Sequence, residues 1–175
     1  RIPLVAYIGT KEACPVKGVS LNSQLHRVPD CQKIIKKSAV ERLKTHYHVS
    51  WFEETGSTVQ IQFSILKDEV MILLDTSGAG LHKRGYRKNS NEAPIKETLA
   101  AGILSLARVR SDTVFCDPMC GSGTFLIEAA LDALHIAPGL NRKFACEKWG
   151  AFPAAAMRQA REAALNNIRR DASFR

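Results

Sequence analysis

Residues 116–130, CDPMCGSGTFLIEAA, set an acid and a proline directly ahead of two glycines and two small hydroxyls. Glycines in such a turn let the main chain come close to a ligand with no Cβ in the way. What the turn could hold depends on the side chains around it. A P-loop needs a lysine for the β- and γ-phosphates, but Thr124 and Phe125 follow Gly123 here. A dinucleotide fingerprint needs a third glycine for close helix–strand packing, and position 126 is Leu.

The string fits best the S-adenosylmethionine loop of class I methyltransferases, in which a first strand ends in an acid and a small-residue turn passes beneath the cofactor. Gly121 and Gly123 would admit its amino-acid end, and Asp117 could meet the cationic amino group directly or through water. N–H groups at the start of the following helix face the carboxylate, aided by the helix dipole. A bare Gly-Ser-Gly would read as a tight strand-to-helix turn and nothing more. The assignment on this reading is Asp117, Pro118, Cys120, Gly121, Ser122, Gly123 and Thr124. Cys120 is a small turn residue in it, with no general base nearby in sequence to make it a nucleophile.

The flanking elements must position that turn. PIKETLAAGILSLARV (94–109) carries Ile95, Leu99, Ile103 and Leu106 on one helical face, with Pro94 suited to a first helical position. DTVFCD (112–117) is a short β-rich run, and FLIEAALDALHI after the turn is strongly helical. Helix, strand, glycine turn and helix make the opening of a doubly wound α/β domain. An alanine-rich helix with a basic polar side is expected over PAAAMRQAREAALNNIRR.

The first half reads α+β. KGVSLNSQ (17–24) alternates as a strand, and residues 28–47 have near-helical apolar spacing at Ile34, Ile35, Val40 and Leu43, with Asp30 as N-cap. Residues 57–78 predict an antiparallel hairpin turning at Lys67-Asp68, with one face buried. AGLHKRGYRKNSNEA (79–93) is rich in Gly, Asn and basic residues and marks a boundary.

The 175 residues carry 25 Lys and Arg against 17 Asp and Glu, a net charge of +8 that favours an anionic partner such as nucleic acid. No apolar run is long enough for a membrane span, and the N-terminus lacks a signal-peptide core. The chain opens on Arg1, as expected of a piece of a longer protein. Five cysteines without a C-x-x-C pair predict no metal site and no disulfide framework, in keeping with a reduced, cytoplasmic protein.

DPMCGSGTFLIEAA together with APGLNRKFACEKW (137–149) closely resembles the bacterial THUMP-domain RNA methyltransferases, nearest to those that methylate guanine N2 in 23S rRNA. EAPIKETLAAGIL (92–104) resembles the helix that walls the cofactor site in that family, which adds Pro94, Ile95, Lys96 and Glu97 to the cofactor set. For Lys96 and Glu97 a plain solvated helix turn reads equally well. Residues 19–43, through LDTSGAGLHKRGYRK, resemble the later part of a THUMP domain.

The resemblance implies a partial THUMP domain over 1–80, a linker over 81–93, and over 94–175 the incomplete start of a Rossmann-like methyltransferase domain. It also implies RNA, most readily 23S rRNA, as partner. The basic residues Lys33, Lys36, Lys37, Arg42 and Lys44, with Lys83, Arg84, Arg87 and Lys88, are candidates to follow phosphates, and Tyr86 to stack on a base. A solvated face is the competing reading of the helix. The family's Asn/Asp-Pro-Pro-Tyr type motif does not occur in this chain, so no catalytic residue is assigned. A tRNA enzyme and a non-catalytic RNA-binding module remain as alternatives. An N6-adenine DNA methyltransferase fits less well, because there the motif precedes the glycine turn.

Overall fold

The computed structural model describes residues 3–87, 94–110 and 113–170. The chain divides into two compact units, Arg1–Gly78 with Phe144–Pro153, and Ala79–Lys143 with Ala154–Arg175. The segment 144–153, expected to run with the second domain, groups with the first unit. Among the described residues no helix is long and apolar enough to cross a membrane.

In the first unit, strand β1 (Val16–Leu21) leads into helix α1 (Val28–Tyr47), then strands β2 (Gln60–Leu66) and β3 (Glu69–Asp75). The sheet order is β1-β2-β3, with β1 parallel to β2 and β3 antiparallel to it. The parallel pair brings together residues some 45 apart in sequence, Val16 opposite Ile61 and Leu21 opposite Leu66. The hairpin turns at Lys67 and Asp68 with φ of 51° and 66°, the left-handed pair of a two-residue turn whose twist suits the strands. Asp68 then accepts hydrogen bonds from Ser23 Oγ (2.6 Å) and the Gln24 amide (2.8 Å), which hold its carboxyl below the usual range and tie the hairpin tip to the end of β1.

Period-two alternation sends Ile61, Phe63 and Ile65 inward from β2. On α1 the buried row is Cys31, Ala39 and Leu43 with Ile35 beside it, one face at helical spacing, whereas Ile34 is exposed. Each large side chain so buried is worth about 1.5–3 kcal/mol. A Cβ on Gly18 would collide with Phe63, so glycine allows the ring to lie across β1. Asp30 is not the N-cap: Arg27 holds that position, and Asp30 sits in the first turn, paired with Arg27 at 3.2 Å. β3, at the sheet edge, leaves Val70, Met71, Ile72 and Leu73 largely exposed, so the buried face belongs to β2 more than to the hairpin as a whole.

The segment 144–153 closes this core. Its 3-10 turn Ala145–Lys148 buries Cys146 and is followed by Trp149, whose indole N–H donates to the Thr58 carbonyl at 3.0 Å. Tyr7 meets the Trp149 ring edge-on with centroids 6.3 Å apart, a favourable aromatic geometry.

The second unit is built from helices α2 (Glu97–Ala107), α3 (Thr124–Ala133) and α4 (Ala154–Asn166), with α2 packed on α3. Pro94 is not at the first helical position, because α2 starts at Glu97 with Lys96 as N-cap. Nor is the Leu99, Ile103, Leu106 stripe the buried one. Glu97, Ala100 and Leu104 are the buried residues. Residues 113–117 join no strand ladder, since a strand is defined by a partner and none of the described residues supplies one.

Candidate functional site

Asp117 Oδ1 accepts the Met119 amide at 3.0 Å, and the Gly123 amide donates to the Cys120 carbonyl at 2.7 Å. These two bonds fold Asp117–Gly123 into a compact turn that delivers the chain to the start of α3. Gly121 and Gly123 have φ of 52° and 70°, where an L side chain costs roughly 1–2 kcal/mol. A Cβ on Gly123 would meet nothing within 4 Å, and one on Gly121 only the Met119 carbonyl at 3.9 Å. The glycines therefore answer to backbone conformation, and the space above them is open. Among the described residues no side chain caps the first turn of α3, whose leading N–H donors have no partner within the helix.

A cleft of about 450 Å³ opens over this turn. Pro94 and Ile95 line one wall, and Asp117, Cys120, Gly121, Ser122 and Thr124 line the other. Met119 and Phe125 line it as well, apolar neighbours not singled out from the sequence. Of the remaining candidates, Pro118 and Gly123 shape the turn without lining the cleft, and Lys96 is exposed at the α2 N-cap. Glu97 is 4% exposed, not solvated, and lies 3.5 Å from Arg87 Nη1.

The basic run predicts an RNA-facing surface for Arg87 and its neighbours, but Arg84, Tyr86 and Arg87 turn inward. Arg87 Nη2 donates to Thr124 Oγ1 at 2.6 Å and to the Ile95 carbonyl at 3.1 Å. Arg84 grips Glu128 with two parallel bonds, Nε to Oε1 (3.2 Å) and Nη2 to Oε2 (3.1 Å). The Tyr86 hydroxyl donates to Glu128 Oε1 at 2.8 Å. Burial, then the Glu128 hydrogen bond and charge, push the Tyr86 phenol well above its ordinary range and keep it a donor. The reason for the reversal is the pair of carboxylates on α2 and α3, which would be costly to bury without cationic partners. Lys83 is exposed, and Lys88 lies outside the described residues.

The basic face of α1 is largely open to solvent, as both a phosphate-following and a merely solvated surface require. Lys33, Lys37 and Arg42 are exposed, Lys36 pairs with Glu54 at 3.0 Å, and Lys44 lies 4.0 Å from Glu41. Such exposed pairs are worth at most about 1 kcal/mol.

Two family models match the chain: the THUMP domain over residues 2–75 and the RMKL-like methyltransferase domain over residues 84–174. "Putative RNA methyltransferase YpsC" of Bacillus subtilis is 53% identical over 137 residues, 77% of this chain and 36% of that protein. "Ribosomal RNA large subunit methyltransferase K/L" of Psychromonas ingrahamii is 44% identical over 66% of this chain and 16% of its own length. Among solved structures, one described as a predicted N6-adenine-specific DNA methylase from Listeria monocytogenes matches with a TM-score of 0.91 and 46% identity, over 98% of this chain and 46% of that one. Another, SMU.472, described as a putative methyltransferase complexed with SAH, matches with a TM-score of 0.86 and 41% identity, over 96% and 45%. The chain thus spans less than half the length of each of these proteins.

Proposed function

From the premise that this chain belongs to the RMKL-like methyltransferase family and carries a THUMP domain before it, we propose that it is part of an S-adenosylmethionine-dependent RNA methyltransferase. The observation that carries this reading is the glycine-floored cleft between Ile95 and the Asp117–Thr124 turn. Its residues fit the methionine end of the cofactor. The acid Asp117 keeps Oδ2 for a cationic amino group, and uncapped N–H donors at the start of α3 suit a carboxylate. When bound, the cofactor supplies an electrophilic methyl on a sulfonium. The relative described with bound SAH, the demethylated form, supports the same assignment.

The finer reading is methylation of guanine N2 in 23S rRNA: the relative named for the ribosomal large subunit supports a ribosomal RNA target, and the N2 position rests on the resemblance of the motifs alone. That exocyclic amine is a weak nucleophile, so positioning would supply much of the rate, and a helical target must first be flipped out. Lys33, Lys36, Lys37, Arg42, Lys44 and Lys83 are the phosphate-following candidates in this reading. The solved relative described as an adenine DNA methylase supplies a second reading.

The test is calorimetric titration of SAH into the full-length protein and its Gly121→Asp and Gly123→Asp variants, followed by methyl transfer to ribosomal RNA, transfer RNA and DNA. Binding by the parent and loss in both folded variants is expected, with transfer to ribosomal RNA alone. Undiminished affinity in either variant would return the turn to a plain connection, and transfer to DNA would favour the second reading.

A further inference from the structure

Residues 84–87 form a strap along one face of α3. Thr124 and Glu128 stand one helical turn apart on that face. Arg84 and Tyr86 engage Glu128, and Arg87 engages Thr124. A guanidinium can only donate, whereas a hydroxyl both donates and accepts. At 2.6 Å from Arg87 Nη2, Thr124 Oγ1 is therefore an acceptor, and its proton turns elsewhere. Ser122 Oγ lies 3.0 Å from that oxygen and lines the cleft. By distance alone either hydroxyl can donate in this pair, since Thr124 Oγ1 keeps a second lone pair; where Thr124 donates, the Ser122 proton is left free for a ligand in the cleft.

We propose that Arg87 is a positioning residue that sets the direction of the Thr124–Ser122 hydroxyl chain, so that the turn presents a donor to the carboxylate of the cofactor's methionine. This rests on the cleft being the cofactor site. Each bond in such a chain polarises the next, so a cation at its buried end strengthens the donor at its open end. The same guanidinium holds the Ile95 carbonyl at 3.1 Å, which fixes the opposite wall, while buried Glu97 balances its charge. Lysine could reach Thr124 but lacks the planar fork that also serves Ile95 and Glu97.

The test compares two ligands by calorimetry on the full-length protein: SAH, and 5′-methylthioadenosine, which has the nucleoside and sulfur but no amino-acid part. Arg87→Gln, whose amide can accept as well as donate, is expected to weaken SAH about tenfold, as loss of a hydrogen bond to a charged group does, and to leave methylthioadenosine within about twofold. Arg87→Lys should restore part of the loss. Ser122→Ala, which leaves Arg87 and its partners in place, should give the same selective loss, and the double variant should be no worse than either single one. Should Arg87→Gln fail to fold, Arg87→Lys carries the comparison. Equal weakening of both ligands would make Arg87 a structural strap only and overturn the proposal, as would unchanged SAH affinity. A parent protein that binds neither ligand would instead refute the reading of the cleft itself.

Discussion

Two basic stretches of similar composition meet opposite fates in this chain. Along α1, Lys33, Lys37 and Arg42 face solvent and Lys36 pairs with an exposed glutamate. In the strap, Arg84 and Arg87 keep only 12% and 18% of their side chains exposed and spend their donors on Glu128, Glu97 and Thr124. The difference lies in what stands opposite. α2 and α3 each bury one carboxylate, and a buried carboxylate needs a cation with several donors in fixed geometry. Arginine supplies that geometry, whereas the ammonium of lysine stays better hydrated at a surface. A basic run is therefore evidence for an anion, and the anion here is partly the protein's own.

The sharpest way to break this comparison is Glu128→Gln. It leaves the Arg84 charge buried without its partner, and unfolding in denaturant should show a loss of about 3–5 kcal/mol. A loss below about 1 kcal/mol would put the strap in the same class as α1.

Next comes pH. The folded protein holds the Tyr86 phenol protonated above its ordinary value of 10.0, so in the unfolded chain the proton leaves first. Stability should be full below about pH 10 and fall above it by at most about 1.4 kcal/mol per unit, and Tyr86→Phe should remove that share of the slope. A slope unchanged by the substitution would mean that Tyr86 is not desolvated against Glu128.

On α1 the reverse is expected. Lys33→Glu with Lys37→Glu should leave stability within about 0.5 kcal/mol for each change. RNA affinity should drop, and its salt dependence should become shallower by roughly 0.7–0.9 for each phosphate that is no longer neutralised. Unaltered RNA binding would return that face to plain solvation. The smallest effect is Lys36→Ala: breaking its exposed pair with Glu54 should cost less than about 1 kcal/mol in thermal or chemical unfolding.

Much of the local structure was legible in the residues. The helix over 28–47 and the hairpin turning at Lys67-Asp68 follow from apolar spacing, because each is decided by neighbours a few positions away. The glycine turn was legible for the same reason, and its two positive φ angles need the residue type the chain supplies. Less legible was which stripe of α2 turns inward. An apolar stripe marks a face that is able to be buried, but the residues of α2 that are buried are Glu97, Ala100 and Leu104, and Glu97 has Arg87 to neutralise it. Asp30 likewise looked like an N-cap by type, but the helix starts at Val28 with Arg27 as N-cap, a start that suits Pro29 in the first turn.

By itself, then, the chain determined its helices, its hairpin and the glycine turn that floors the cleft, since torsional preference and short-period burial act within a few residues. Only the tertiary structure decided that Ile95 stands across from that turn, that Trp149 seals the core of the first unit, and that Arg84, Tyr86 and Arg87 point inward. Whether a charge is buried depends on a partner 10 to 44 residues away, and the energy of that pairing exists only once the fold has removed water from both.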